Sequence, residues 1–264
     1  MEVHQRAKGE LAVQSEQHGG DWLWAEEQFG SRSKPWLDFS VNVNPLGPPR
    51  SVRDALLRAL SDTSAESPLA RYPDPFARQA KAALAQFLGV DEACLLLTNG
   101  GSEAIDLAMR VIQPRKVHLV EPCFSEYGKA ADAVGAPIVR HFADPHQDFH
   151  WRSKPVLQKL AEGDLLFIGY PNNPTGYLVA RDELLEHWQQ RSLQRKCTLV
   201  VDEAFLDFLP QGSQLSFRTE ACRRRDIIVT GSLTKIFALP GLRVGYLLAH
   251  PEHIHAAAEL QPTW

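Results

Sequence analysis

Lys235 closes the tetrad Ser232-Leu233-Thr234-Lys235, directly behind the apolar run DIIVTG. A lysine held beside hydroxyls at the end of a buried strand can condense with a carbonyl cofactor. Lysines are more often solvated surface residues, and this one alone would be read that way. Arg243 follows in Leu-Pro-Gly-Leu-Arg-Val-Gly-Tyr, where Pro240 and Gly241 predict a turn back before another strand. Its guanidinium could grip a phosphate through two parallel hydrogen bonds; a structural salt bridge is the plainer alternative. Asn99-Gly100-Gly101-Ser102-Glu103 follows CLLLT and opens a helical pattern. Glycines at a helix start free backbone N–H groups to face an anion, with the helix dipole in support. The same residues also serve as an ordinary N-cap. Asp202 ends the run CTLVV. A carboxylate there needs a partner to stay ionised. A protonated pyridine nitrogen would be one, and capping the next turn is the commoner use of such an Asp.

These residues need a scaffold that gathers strand ends. Helical periodicity appears over Ser51 to Leu60 and Phe76 to Leu88, after which short apolar runs alternate with helix-period segments. The runs are CLLLT, KVHLVEP, PIVRHF, DLLFIGYP, CTLVVDEAF and DIIVTGS; SEAIDLAMRVI, FSEYGKAADAVG and RDELLEHWQQR lie between them. Continuous apolar strands separated by amphipathic helices predict an α/β fold with a mostly parallel sheet covered by helices on both faces. Sites in such folds lie beyond the carboxyl ends of the strands. The chemically suggestive residues, Pro171-Asn172-Asn173-Pro174-Thr175-Gly176 among them, all follow such ends.

SLTKIFALPGLRVGY, PNNPTG, VVDEAF and TNGGSEAI, in this order and spacing, resemble the pyridoxal-5′-phosphate (PLP) signature of fold-type-I aminotransferases, from about Asp38 to the C-terminus. The resemblance implies that Lys235 holds the cofactor covalently, that Asp202 pairs with the pyridine nitrogen and that Asn173 bonds the ring hydroxyl oxygen. It assigns the phosphate to Gly101, Ser102, Ser232, Thr234 and Arg243. Phe124, in Glu-Pro-Cys-Phe, matches the aromatic that stacks on the ring; a core phenylalanine at a helix start is the alternative. Tyr72, in Arg-Tyr-Pro-Asp, matches a tyrosine that reaches the phosphate of a neighbouring subunit, which implies a homodimer, whereas a turn tyrosine packing locally is the ordinary reading.

His18-Gly19-Gly20-Asp21 and Asp38-Phe39-Ser40-Val41-Asn42-Val43-Asn44-Pro45 are similar to the L-threonine-O-3-phosphate decarboxylases of cobalamin biosynthesis. The similarity implies that His18 and Asn42 contact a substrate phosphate. Phe205 points the same way, because histidinol-phosphate aminotransferases usually carry a tyrosine there. The expected substrate is therefore a phosphorylated amino acid or amino alcohol, with the aminotransferase as alternative. The expected organisation is a tail and substrate-contacting arm over 1–44 and a PLP-binding large domain over 45–264. The small C-terminal domain, which in the family supplies the arginine for the substrate carboxylate, is expected to be missing. A non-catalytic, PLP-binding or scaffold remnant is thus a reading of another class.

Bulk properties bound these expectations. With 264 residues and 44% hydrophobic content the chain can bury a large core. A formal charge of −4 leaves no basic footprint for nucleic acid, and Arg223-Arg224-Arg225 reads as solvated surface. Neither a dinucleotide fingerprint nor a P-loop is present, which argues against a nucleotide-binding module. No apolar stretch is long enough to span a bilayer. The N-terminus reads as a loose polar tail without a signal peptide. Cys94, Cys123, Cys197 and Cys222 form no CxxC pair and predict reduced thiols in the cytoplasm. No metal site is expected, and His141, His146 and His150 read as a solvated polar loop.

Overall fold

The structure, a computed structural model, describes residues 19–30, 37–192 and 196–262. Its packing divides the chain into two units, Met1–Val43 and Asn44–Trp264. In the first unit, helix α1 (Trp22–Phe29) starts where the Asp21 carboxylate accepts the Trp24 N–H at 2.9 Å. Aspartate suits this place because its oxygen satisfies a helix-start donor that no carbonyl can reach.

The second unit opens with α2 (Arg50–Ser61) and α3 (Arg78–Leu88), near the periods read from the sequence. Strands β1 (Leu95–Asn99), β2 (Val117–Glu121), β3 (Ile138–Phe142), β4 (Leu165–Gly169), β5 (Thr198–Asp202), β6 (Ile227–Ser232) and β7 (Val244–Leu248) follow. They alternate with α4 (Gly101–Ile112), α5 (Ser125–Ala133), α6 (Ser153–Leu157), α7 (Arg181–Ser192), α8 (Gly212–Leu215), α9 (Arg218–Arg223) and α10 (Leu233–Ile236), and α11 (Pro251–Leu260) follows β7.

One sheet takes the order β1-β7-β6-β5-β4-β2-β3. Strand β7 runs antiparallel to both β1 and β6, and the other pairs are parallel. The turn at Pro240-Gly241 therefore reverses the chain before β7, as its sequence predicts.

Each central strand is buried on both faces, which is why its sequence is apolar without alternation. Leu166, Ile168, Leu199, Val201, Ile227 and Val229 join one core, which includes Trp188 of α7. Leu165, Phe167, Val200 and Ile228 join the other, beneath α4 and α5. Each fully buried aliphatic side chain contributes about 1.5–3 kcal/mol. Trp188 keeps its one polar atom satisfied by donating Nε1–H to Asp226 Oδ2 at 3.0 Å.

Two sequence expectations need correcting. His141 is not a solvated loop residue. It lies on β3, buried, with Nε2 2.9 Å from Nδ1 of His118 on β2. The His118 Nε2 is 3.1 Å from Asp164 Oδ2. The β2–β3 register puts both imidazoles on one face of the sheet, and that register is not visible in either segment alone. His146 and His150 are exposed as expected. Within the arginine run, Arg224 is a half-buried partner of Asp226, with Nε and Nη2 donating at 2.9 and 2.7 Å. Among the described residues no helix is long and apolar enough to cross a membrane, and no group of His, Cys, Asp or Glu is arranged to hold a metal.

Candidate functional site at the carboxyl rim of the sheet

Strand register assembles the site. Asn99 at the end of β1 faces Val244 at the start of β7, and Gly245 lies between Thr98 and Ser232. Asp202 at the end of β5 faces Gly169 on one side and Thr230 on the other. The ends of β1, β6, β5 and β4 and the start of β7 thus share one rim. Asn99, Ser232, Asp202 and Arg243 come together there from segments widely separated in sequence.

The rim forms an anion cradle around Gly100. Its φ of 80° is the left-handed conformation that glycine adopts without strain, and it precedes the first turn of α4. No side chain caps this helix start. Glu103 instead accepts the Asn99 N–H at 2.6 Å and a hydrogen bond from Gln261 Nε2 at 3.0 Å, bracing the turn from below. A Cβ on Gly100 would fall 2.4 Å from Arg243 Nη2. A Cβ on Gly245 would fall 2.5 Å from the Gly100 carbonyl carbon. Both positions must be glycine for the guanidinium and the helix start to approach. Gly101 packs beside Ser232, whose buried Oγ lies 2.7 Å from Thr234 Oγ1. Ser102, on the first turn of α4, is exposed. Helix N–H groups, two hydroxyls and a guanidinium therefore converge on a space suited to a phosphate.

Asp202 is buried at 9% exposure. Its Oδ2 accepts the Tyr127 hydroxyl at 2.8 Å, and its Oδ1 accepts the Ala204 N–H at 3.1 Å. Burial pushes its acid up from the usual carboxylate range, against the pull of these bonds and of Lys235. Such a group is poised to gain from a cation placed beside it. Tyr127 is fixed in turn by stacking on Phe167, with centroids 4.2 Å apart, and Phe124 meets it edge to face at 5.7 Å. Phe124 is partly buried and packs against the core beneath α4 and α5. Tyr127 was not singled out in the sequence. A tyrosine three positions after Phe124 gives no sign that it reaches the end of a strand far along the chain.

Lys235 is half-buried on α10, one turn from the cradle. Burial lowers its amine's proton affinity, the Arg243 charge lowers it further, and Asp202 opposes both. A lysine so placed reaches its neutral, nucleophilic form more easily than one in water.

The PNNPTG loop is organised by Asn172, whose Nδ2 donates to the Pro122 carbonyl at 2.9 Å and to Thr175 Oγ1 at 2.8 Å. Asn173 lies beside it, partly buried. Phe205 follows β5 and packs near Phe208, with centroids 6.3 Å apart. Tyr72 is 85% exposed. In the first unit the two halves of the arm motif are joined: the Gly20 N–H donates to Ser40 Oγ at 2.9 Å, and that hydroxyl donates to Asp38 Oδ1 at 2.6 Å. Asn42 is an exposed residue of this unit, and His18 lies outside the described residues.

Residues 34–264 match the family model described as aminotransferase class I and II. The chain is 36% identical over 239 residues to a threonine-phosphate decarboxylase of Salmonella typhimurium, covering 90% of this chain and 63% of that protein. It is 32% identical over 228 residues to histidinol-phosphate aminotransferase 2 of Ralstonia nicotianae, covering 85% and 58%. The histidinol-phosphate aminotransferase structure from Clostridium acetobutylicum superposes with a TM-score of 0.74 at 27% identity, over 86% of this chain and 65% of that one. The chain therefore spans about three fifths of the length of the curated relatives it matches. The matched family implies PLP as cofactor, and the rim fits it. The cradle that a Cβ at Gly100 would fill suits the phosphate, the buried Asp202 suits a protonated ring nitrogen, and Lys235 feels the charges of both Arg243 and Asp202.

Proposed function

The chain belongs to the aminotransferase class I and II family, and from that premise we propose that it binds PLP through Lys235 and decarboxylates L-threonine O-3-phosphate to (R)-1-aminopropan-2-yl phosphate, a step of cobalamin biosynthesis. The observation that carries the cofactor part is the convergence of Lys235, Asp202 and the Gly100–Arg243 cradle on one rim. When bound, the cofactor supplies an electron sink for a bond broken at the substrate α-carbon.

The protein's own residues set the conditions for that chemistry. Arg243, Ser232, Thr234 and the N–H groups of Gly101 and Ser102 would anchor the cofactor phosphate. The Asp202 carboxylate would keep a proton on the ring nitrogen, and Tyr127 would hold that carboxylate in place. Asn173 would donate to the ring hydroxyl oxygen, and Phe124 would cover one face of the ring. The Lys235 amine would be the group that hands a proton to the α-carbon once CO2 has left, or, in the transamination reading, the base that removes the proton from it. Which bond breaks would depend on how the site orients the substrate, the carboxylate leaving only if it, and not the α-hydrogen, is the group aligned for cleavage.

The substrate reading draws support from the decarboxylase relative and from the arm. The turn of Gly19 and Gly20 is hydrogen-bonded to Ser40, and Asn42 of the same arm would meet the substrate phosphate, with His18 as its proposed companion. Phe205 offers no hydroxyl to the cofactor, unlike the tyrosine usual in histidinol-phosphate aminotransferases. The aminotransferase relatives favour a second reading, transamination of a phosphorylated amino alcohol. Tyr72, exposed on its own chain, would reach the phosphate site of a second copy in a homodimer.

The deciding experiment is an absorption titration with PLP of the wild type and Lys235→Ala, followed by threonine phosphate and histidinol phosphate with assay of CO2. A Lys235-dependent band that responds to threonine phosphate with CO2 release supports the proposal. A response to histidinol phosphate alone selects transamination. Absence of any Lys235-dependent band leaves the scaffold reading.

A further inference from the structure

Lys235 sits on a helix of only four residues, α10, whose carbonyls soon run out of helical donors: the Ala238 N–H donates to the Lys235 carbonyl at 3.2 Å, and the carbonyl of Ile236 has no following helical turn to meet it. The next residues do not continue the helix: Ala238 takes φ 51°, a left-handed conformation unfavourable for alanine. The Leu239 N–H closes the turn onto the Thr234 carbonyl at 3.0 Å, and the rest of its support comes from outside it.

Asn44 meets both carbonyls. Its backbone N–H donates to the Lys235 carbonyl at 3.1 Å, and its Nδ2 donates to the Ile236 carbonyl at 2.8 Å. Its Oδ1 accepts the Leu46 N–H at 3.0 Å, which fixes which way the amide faces. The two side-chain bonds match one orientation of the amide: donor toward the α10 carbonyl, acceptor toward its own loop. Residues 191 or more positions apart in sequence are coupled by this contact at the peptide units that bear the lysine stem. Asparagine is required by the pattern, because aspartate would set a carboxylate oxygen against a carbonyl and serine is too short to span the same gap.

We propose that Asn44 is a positioning residue for Lys235, fixing the direction of the lysine side chain by clamping the backbone on which it is carried. The inference rests on the reading of Lys235 as the cofactor lysine. It adds a role for a residue that the cofactor motifs do not include.

The test uses the 264-residue chain as Asn44→Asp and Asn44→Ser, the second keeping the backbone bond. Labelling of the Lys235 amine by an acylating reagent, followed across pH by mass spectrometry without cofactor, reports the environment of the amine. PLP titration of the same samples reports capture. Asn44→Asp is expected to move the Lys235 labelling profile toward that of an ordinary exposed lysine and to weaken PLP capture about tenfold. Asn44→Ser should give a smaller change in the same direction. Wild-type labelling and capture in both folded variants would overturn the proposal. If both variants fail to fold, amide exchange in the wild type decides. An Asn44 N–H as slow as the sheet core supports the clamp, and one that exchanges like an open loop overturns it. Failure of the wild type itself to form a Lys235-dependent band would instead sink the function proposed above, while the labelling profiles would still judge Asn44.

Discussion

Tyr127 donates its hydroxyl proton to Asp202 Oδ2 at 2.8 Å, from a ring buried against Phe167. The bond crosses from the start of α5 to the end of β5. It gives a carboxylate that burial would otherwise discharge a donor whose own proton is hard to remove, since burial and the Asp202 charge raise the phenol's acid well above its ordinary value. The hydroxyl is thus a fixed donor at every physiological pH.

Tyr127→Phe should expose what that donor does. The ring stack on Phe167 survives, while Asp202 loses a charge-assisted bond inside the protein, which costs roughly 1–3 kcal/mol. Thermal unfolding is expected a few degrees lower than wild type, and PLP capture weaker, because a more readily protonated Asp202 holds a ring cation less well. An unchanged melting temperature together with unchanged capture would show that the bond carries neither stability nor cofactor affinity.

Gly100→Ala tests the cradle directly. The new methyl would fall 2.4 Å from Arg243 Nη2 on a backbone already at φ 80°, so the guanidinium must leave or the turn must open. Binding of the PLP phosphate should fall at least tenfold, with a stability loss of about 1–2 kcal/mol from the left-handed alanine. Isothermal titration with PLP and with inorganic phosphate measures both anions on the same site. Wild-type affinity for either would mean that the phosphate sits elsewhere.

The sheet and its rim were legible because their signals are local. Apolar runs mark β1 to β6, and the glycines, Ser232, Lys235 and Asp202 all sit where such runs stop. What sequence could not supply is register. Tyr127 reaches Asp202 only because its ring stacks on Phe167 of β4, the strand that pairs with β5, and Asn44 reaches the Lys235 turn from 191 residues away. The misreading of His141 has the same origin. A histidine near the end of an apolar run, followed by a polar loop, looks solvated until the neighbouring strand puts His118 beside it.

Glu203, next to Asp202, predicts a loss of stability as pH rises from acid to neutral. It is buried, accepts Ser216 Oγ–H and the Phe217 N–H at 2.6 Å each, and burial pushes its acid up to about 7. A carboxyl whose folded value lies above its unfolded one gives stability that is fully present below about 4.5 and is lost as pH rises through about 7. Denaturant midpoints should therefore fall between about pH 4.5 and 7 and level off above that. Glu203→Gln, neutral throughout, should flatten that fall by up to about 3 kcal/mol. Parallel curves for the two proteins would remove Glu203 as its source.

The buried pair His118 and His141 has the opposite sign and a lower window. Burial depresses both imidazoles, His141 to about 4, with Asp164 partly opposing the shift at His118. In the neutral pair, the His118 Nε2–H can donate to Asp164 while the His141 Nε2–H donates to His118 Nδ1. One added proton can be accommodated by reversing the His–His bond. A second leaves two donors facing each other. A histidine with a depressed folded value is stabilised by its neutral form, so the contribution is complete above about 6.5 and is lost as pH falls toward about 4. Lys116 and Lys159 lie close enough to deepen that loss. His141→Gln keeps a donor for His118 Nδ1 but cannot be protonated, so its stability should decline less than wild type between pH 6.5 and 4.5, by on the order of 1 kcal/mol or more. Urea midpoints at several pH values measure the two slopes. Equal slopes would place the acid sensitivity of the fold outside this pair.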